Sequence, residues 1–224
     1  TAPGKLEPQF DEARGMQGLD DALAFADRIA GSFDGLGQPM LAPDRVETCT
    51  LPLLRRTMAA SAERGLPVRL HMAQGRMERK TVEALHGTTA PRWLAANGLL
   101  NDRLIAPHAV EATPEDLQLY ADHGVTIAHC PLVYARDGEM LRSFRKCRDM
   151  GIRIGMGTDT APPDMVLNMA VGLMMGRAAE GGAAGRSTAE IFDAATIGGA
   201  DALGRPDLGR LAPGSLADIA IFDL

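Results

Sequence analysis

No run of apolar residues in this sequence approaches the roughly 18 that a membrane-spanning helix needs, and no signal-peptide pattern opens the chain. A membrane protein is therefore not expected. Blocks of Lys and Arg are also missing. With 23 basic against 29 acidic residues, the net charge of −6 argues against nucleic acid or an acidic membrane surface as partner. Cysteine is scarce: Cys49, Cys130 and Cys147 are odd in number, widely spaced and without a CxxC pair. That excludes a disulfide framework and reads as reduced thiols in a cytoplasmic protein. The opening "TAPGKLEPQF" lacks an initiator methionine, so the expectation is a piece of a longer protein.

What is present is enough for one large domain. The 224 residues, 46% hydrophobic and 23% charged, have an ordinary globular composition and can bury a sizeable core. Short apolar runs alternate with longer segments of helical spacing. Strands are expected at residues 38–43 ("QPMLAP"), 67–73 ("PVRLHMA"), 103–109 ("RLIAPHA"), 125–130 ("VTIAHC") and 153–158 ("RIGMGT"). Helix signals lie between them. Gly65 reads as a C-terminal cap; Thr113, Pro114 and Asp116 open a helix that Gly124 closes; and Asp164 reads as an N-cap. Strands alternating with helices imply a parallel sheet, either doubly wound or a (β/α)8 barrel. The patch "EGGAAGRS" (180–187) reads as a mobile surface loop. Beyond residue 205 the character changes: Pro213-Gly214 makes a turn, and the alternating "ADIAIFDL" reads as a strand outside the α/β repeat.

The polar residues fall where such a fold places chemistry. His71, His108, His129 and Asp159 each follow an apolar strand pattern, at separations typical of successive βα units. In a (β/α)8 barrel the C-terminal strand ends share one rim, so these side chains would converge there. A single histidine after an apolar run is more often a hydrogen-bonded core or loop residue. Three at the same kind of position, with an aspartate, read as a metal site, and imidazole plus carboxylate suits zinc, with iron as the alternative. His86 and His123 sit in helical segments and read as surface residues.

Five segments in series resemble the amidohydrolase superfamily, in its cytosine-deaminase and triazine-hydrolase branch. They are "VRLHMAQ", "HGTTAPRWLAANGLLNDRLIAPHAV", "DHGVTIAHCPL", "GIRIGMGTDTAPPDM" and "LGRPDLGRLAPGSLADIAIFDL". The resemblance implies an α/β fold, a (β/α)8 barrel of which strands four to eight lie in residues 1–205. Residues 206–224 would return the chain to a small β-sandwich. It implies one divalent metal, zinc ahead of iron, held by an HxH pair on the first strand together with His71 and Asp159. His108 matches the histidine that holds the hydrolytic water or substrate, and His129 one in the substrate pocket. The segment "QPMLAPDRVETCT" has no lysine. That favours one metal over the two-metal sites that some barrel hydrolases build with a modified lysine.

Three departures stand out. The sequence contains no HxH, so that pair is expected in a preceding segment. The family's strand-five motif is His-x-x-Glu, but Gln74 occupies the acid's position, and a neutral amide orients a substrate without carrying a proton. Glu78, four residues on, reads as an exposed acid at a helix start. Finally, Leu132, Val133 and Tyr134 stand where the family often has Ser or Asn, so the pocket wall differs.

The implied function is metal-dependent hydrolysis of a nitrogen heterocycle such as a purine, pyrimidine, pterin or triazine, releasing ammonia or another leaving group. Asp159 would take the water proton, His108 would orient the water and stabilise charge, and Gln74 would hydrogen-bond a ring nitrogen. Amide cleavage and a non-catalytic relative are the alternatives. A small-molecule substrate and a homo-oligomer, a dimer, are expected.

Overall fold

The computed structural model describes residues 9–160, 162–182 and 187–223. Four strands form one sheet: β1 (Val68–Arg69), β2 (Leu104–Pro107), β3 (Thr126–His129) and β4 (Ile154–Met156). All pairs are parallel, in the order β1-β2-β3-β4, with Ile105 opposite Thr126 and Ile127 opposite Ile154. Parallel neighbours require crossovers, and helices supply them. Helices α1 (Glu12–Ile29) and α2 (Leu51–Arg64) precede the sheet. Then α3 (Arg76–His86) and α4 (Ala90–Ala96) link β1 to β2, and α5 (Pro114–His123) links β2 to β3. Helices α6 (Pro131–Ala135) and α7 (Phe144–Asp149) lead to β4, and α8 (Met165–Ala179), α9 (Thr188–Ala195) and α10 (Ile197–Ala202) follow it.

The sheet is largely buried, with Arg69 of β1 its exposed residue. Every residue of β2 is buried. Leu70, Met72, Leu104, Ile127 and Ile154 pack with Leu54, Val82, Leu94, Tyr120, Phe144 and Ile191 in one continuous core. The three cysteines are free and buried; burial pushes the Cys147 thiol up to about 11 and Cys130 up to about 12, so both stay protonated. No described helix is long and apolar enough to cross a membrane.

Local chemistry sets the element ends. Thr113 accepts the Asp116 N–H at 3.2 Å and Asp116 accepts the Thr113 N–H at 2.9 Å, a reciprocal capping box for α5. Asp164 Oδ1 caps α8 by accepting the Leu167 N–H at 2.9 Å. Gly65 and Gly124 end α2 and α5 in the left-handed region, at φ 66° and 68°.

Two expectations about strands need correction. Residues 38–43 form no strand; Leu41 alone bridges Val68 in parallel, and Arg45 bridges His71. Pro39 and Pro43 remove two amide donors from this segment, which restricts ladder pairing. Four strands plus that bridge do not close a barrel among the described residues. The strand expected at 217–224 is also absent. Residues 217–223 carry no secondary structure, with Ile219, Ile221 and Phe222 at 58%, 92% and 62% exposure; Leu224 lies outside the described residues. An alternating segment becomes a strand only against a paired neighbour, and the described residues offer it none. Half of the loop read at 180–187, residues 183–186, lies outside the described residues.

Candidate active site

At the C-terminal end of the sheet, Arg45, His71, Gln74, His108, Val133, Tyr134, Asp137 and Asp159 line one cavity of about 240 Å³. The parallel register brings these groups together. His71 stands two residues beyond β1 and His108 directly follows β2, linked there by a bridge between Met72 and His108. Asp159 lies three residues beyond β4. The backbone bends sharply at this rim: Ala73, His108, Ala109 and Asp159 all have positive φ, between 52° and 75°. Such conformations cost non-glycine residues energy and cluster where geometry serves function. A larger hollow of about 370 Å³, lined by Arg148, Arg153, Asp193 and Asp201 among others, contains no imidazole.

The His71 Nδ1–H donates to the Asp44 carbonyl at 2.7 Å. That bond fixes the ring tautomer and leaves the Nε2 lone pair for the cavity, the arrangement found behind metal-bound imidazoles. The His71 and His108 rings stack with centroids 5.4 Å apart, and Tyr134 meets His108 edge-on at 4.8 Å. His108 is 3% exposed. Burial drives its pKa down to about 4 although Asp159 opposes the shift, so the imidazole is neutral at physiological pH. His108 Nε2 stands 3.5 Å from Asp159 Oδ2.

A neutral imidazole, a second imidazole with a free lone pair and a carboxylate are the donor types that suit a divalent ion such as zinc. Among the described residues, no three His, Cys, Asp or Glu side chains are placed to hold a metal ion.

Four of the five residues read from the sequence are thus gathered here. His129 is not. It is 2% exposed, packs 5.4 Å from the Phe144 ring and does not line this cavity. It is the last residue of β3, and α8 closes over it: a Cβ on Gly172 would lie 3.6 Å from His129 Nε2. The reading of Glu78 also needs correction. The residue is 4% exposed, because α3 packs this face against the 3-10 turn 46–48. Its Oε2 accepts the Gln74 N–H at 3.2 Å. Burial, with Glu47 adding to the shift, raises its pKa to about 7. The same burial raises Glu47.

Arg45 and Asp137 went unread in the sequence. Arg45 stands two residues past the "QPMLAP" run, as His71 stands two residues beyond β1. As for the surface histidines, His123 is exposed, while His86 is half-buried and stacked on Trp93 at 4.1 Å.

A model of the amidohydrolase family matches residues 18–224. The chain belongs to the amidohydrolase family. Among curated relatives, the 5-methylthioadenosine/S-adenosylhomocysteine deaminase of Pelotomaculum thermopropionicum is 30% identical, over 92% of this chain and 48% of that protein. The enzyme of the same name from Pyrococcus horikoshii is 34% identical, over 83% and 45%. The chain thus spans about half the length of the curated relatives it matches. Among solved structures, a zinc-bound adenosine deaminase from Xanthomonas campestris superposes with a TM-score of 0.83 at 27% identity, over 89% of this chain and 46% of that one. The zinc complex of atrazine chlorohydrolase from Arthrobacter aurescens gives 0.85 at 26% identity, over 91% and 46%. This amidohydrolase chain therefore shares its α/β architecture with enzymes whose structures contain zinc.

Proposed function

We propose that this chain carries the rim of a metal-dependent hydrolase that removes an amino or chloro group from a nitrogen heterocycle, such as a purine, pyrimidine, pterin or triazine. The observation that carries the reading is the convergence of His71, Gln74, His108 and Asp159 on one cavity from three separate strand ends. The names of the deaminase relatives and the chlorohydrolase neighbour support the substrate class. In the whole protein the sheet would be part of a (β/α)8 barrel whose strands four to eight lie in residues 1–205, with 206–224 returning to a β-sandwich, and the assembly a dimer.

His71 and Asp159 would hold one divalent ion, zinc ahead of iron, as part of a larger ligand set. When bound, such an ion lowers the pKa of its water toward about 7 and so supplies hydroxide at neutral pH. Asp159 accepts the water proton on a carboxylate oxygen and returns it to the departing nitrogen. His108, neutral and fixed 3.5 Å from Asp159, orients the water and donates to the oxygen as charge develops on it. Gln74 hydrogen-bonds a ring nitrogen and holds the ring against Tyr134, but transfers no proton. His129, set back from the cavity, would shape the substrate pocket from beneath.

The test is a product screen with the metal-replete full-length protein on aminated and chlorinated heterocycles and on cyclic amides. Ammonia or chloride with an intact ring is expected. A new carboxylate from ring opening would assign amide hydrolysis instead, and inactivity on every heterocycle would overturn the reading.

A further inference from the structure

Among the described residues that line the cavity, Arg45 is the one cation, and neither the water nor its proton requires it. Its backbone is held against His71 from both sides. The His71 N–H donates to the Asp44 carbonyl at 3.1 Å, and the Val46 N–H donates to the His71 carbonyl at 3.4 Å. Residues bridged in this way across parallel strands send their side chains to the same face, so Arg45 and His71 enter the cavity together. The guanidinium is underused there. Among the described residues it makes one ion pair, Nε to Asp44 Oδ2 at 3.4 Å, and no hydrogen bond. Asp44 is exposed, so water screens much of that pair. The Nη1 and Nη2 edge, an end of the fork that can meet a carboxylate with two parallel N–H bonds, is left without an acceptor. Charge also runs in one direction across the site. Arg45 sits by His71 at the β1 end, whereas Asp159, 3.5 Å from His108, follows β4 at the opposite edge of the sheet. Beyond the effect of burial, the Arg45 charge acts on His108 and Tyr134, in keeping with a guanidinium turned toward the cavity.

We propose that Arg45 is a specificity-determining residue that binds a carboxylate on the substrate ring, on the side away from the carbon that loses its amino or chloro group. The reacting carbon belongs toward the His108 and Asp159 end, where the water proton is taken, so an anion has its place at the other end. The substrate class narrows from nitrogen heterocycles in general to those that carry a carboxylate across the ring from the leaving group. This inference rests on the heterocycle hydrolase reading for the position of the reacting carbon, whereas the preference of Arg45 for a carboxylate is read by binding alone.

The experiment measures dissociation constants by titration calorimetry with the metal-replete full-length protein. The probes are 2-aminopyrimidine-5-carboxylate and 6-aminopurine-9-acetate, each paired with its uncharged carboxamide. In at least one pair the carboxylate should bind about tenfold or more tighter than the carboxamide, as a charge-assisted hydrogen bond warrants. Arg45→Gln should remove that preference, and Arg45→Lys should keep only part of it, since an ammonium lacks the fork. A wild-type ratio near one in both pairs overturns the proposal. So does a ratio that survives Arg45→Gln: with carboxylate affinity intact, the anion sits on the bound ion, and with both affinities lowered, Arg45 is a prop for Asp44 and His71. Turnover of the same probes separates the two readings. Ammonia released without a carboxylate preference overturns this inference alone. An Arg45-dependent preference without turnover of any ring counts against the hydrolase reading alone, and the absence of both overturns both.

Discussion

At the scale of single residues, the site is set by what burial does to ionisation. Glu78 shows the effect most plainly, with a pKa raised from 4.5 to about 7. A raised carboxyl favours the protonated folded state, so its contribution is intact below about pH 4.5 and is lost as pH climbs through 7. The shift corresponds to about 3 kcal/mol. Glu78→Gln should therefore match the wild type in urea denaturation at pH 4 and exceed it by up to about 3 kcal/mol at pH 8. Equal differences at both pH values would contradict the burial argument. Gln74 gives a second test. Gln74→Glu would place a proton-transferring group within the cavity and should raise kcat about tenfold or more for an amine leaving group. Chloride departs without a proton, so chlorinated rings should change far less. The ratio of the two effects, measured on paired amino and chloro substrates, checks it. Most of the site was legible at this scale, since imidazoles and an aspartate after apolar runs mark strand ends whatever the loops do. The depth of His129 and the burial of Glu78 were not, because both depend on which helix packs over them.

Among the elements, close backbone approach matters as much as side-chain packing. Helix α10 lies so near β4 that a Cβ on Gly198 would collide with the Ile154 carbonyl oxygen. Gly198→Ala must push the helix off the strand that precedes Asp159, at a cost of about 1–3 kcal/mol or more. A thermal melt should fall by several degrees, and an unchanged melting temperature would mean that the contact is looser than it stands. Gly155, opposite it on β4, has the Gly198 carbonyl oxygen 3.3 Å from its own Cβ position, so the pair works as a two-sided clearance. Helix ends were readable in the sequence because caps are local: Thr113 with Asp116, Asp164, Gly65 and Gly124 all act as their residue types suggest. Strand extents were not. Residues 38–43 and 217–223 carry strand-like patterns, yet a pattern becomes a strand only when a neighbour accepts its ladder.

For the whole molecule, the topology does the gathering. A parallel sheet with every crossover on its faces leaves all C-terminal strand ends on one rim, so groups distant in sequence share a cavity without any loop having to reach. The chain spans about half the length of its curated relatives. In the full-length protein, chelation should remove turnover and added zinc should restore it, as followed by metal analysis alongside rate. The central claim is that the His71, His108 and Asp159 rim performs hydrolysis. Its most direct test is ammonia release from an aminated heterocycle by full-length wild type and by Asp159→Asn, each with its metal content measured. The account predicts a loss of about 100-fold or more in kcat, since Asp159 is the group that holds the water proton. An Asp159→Asn variant that releases ammonia at the wild-type rate would contradict it.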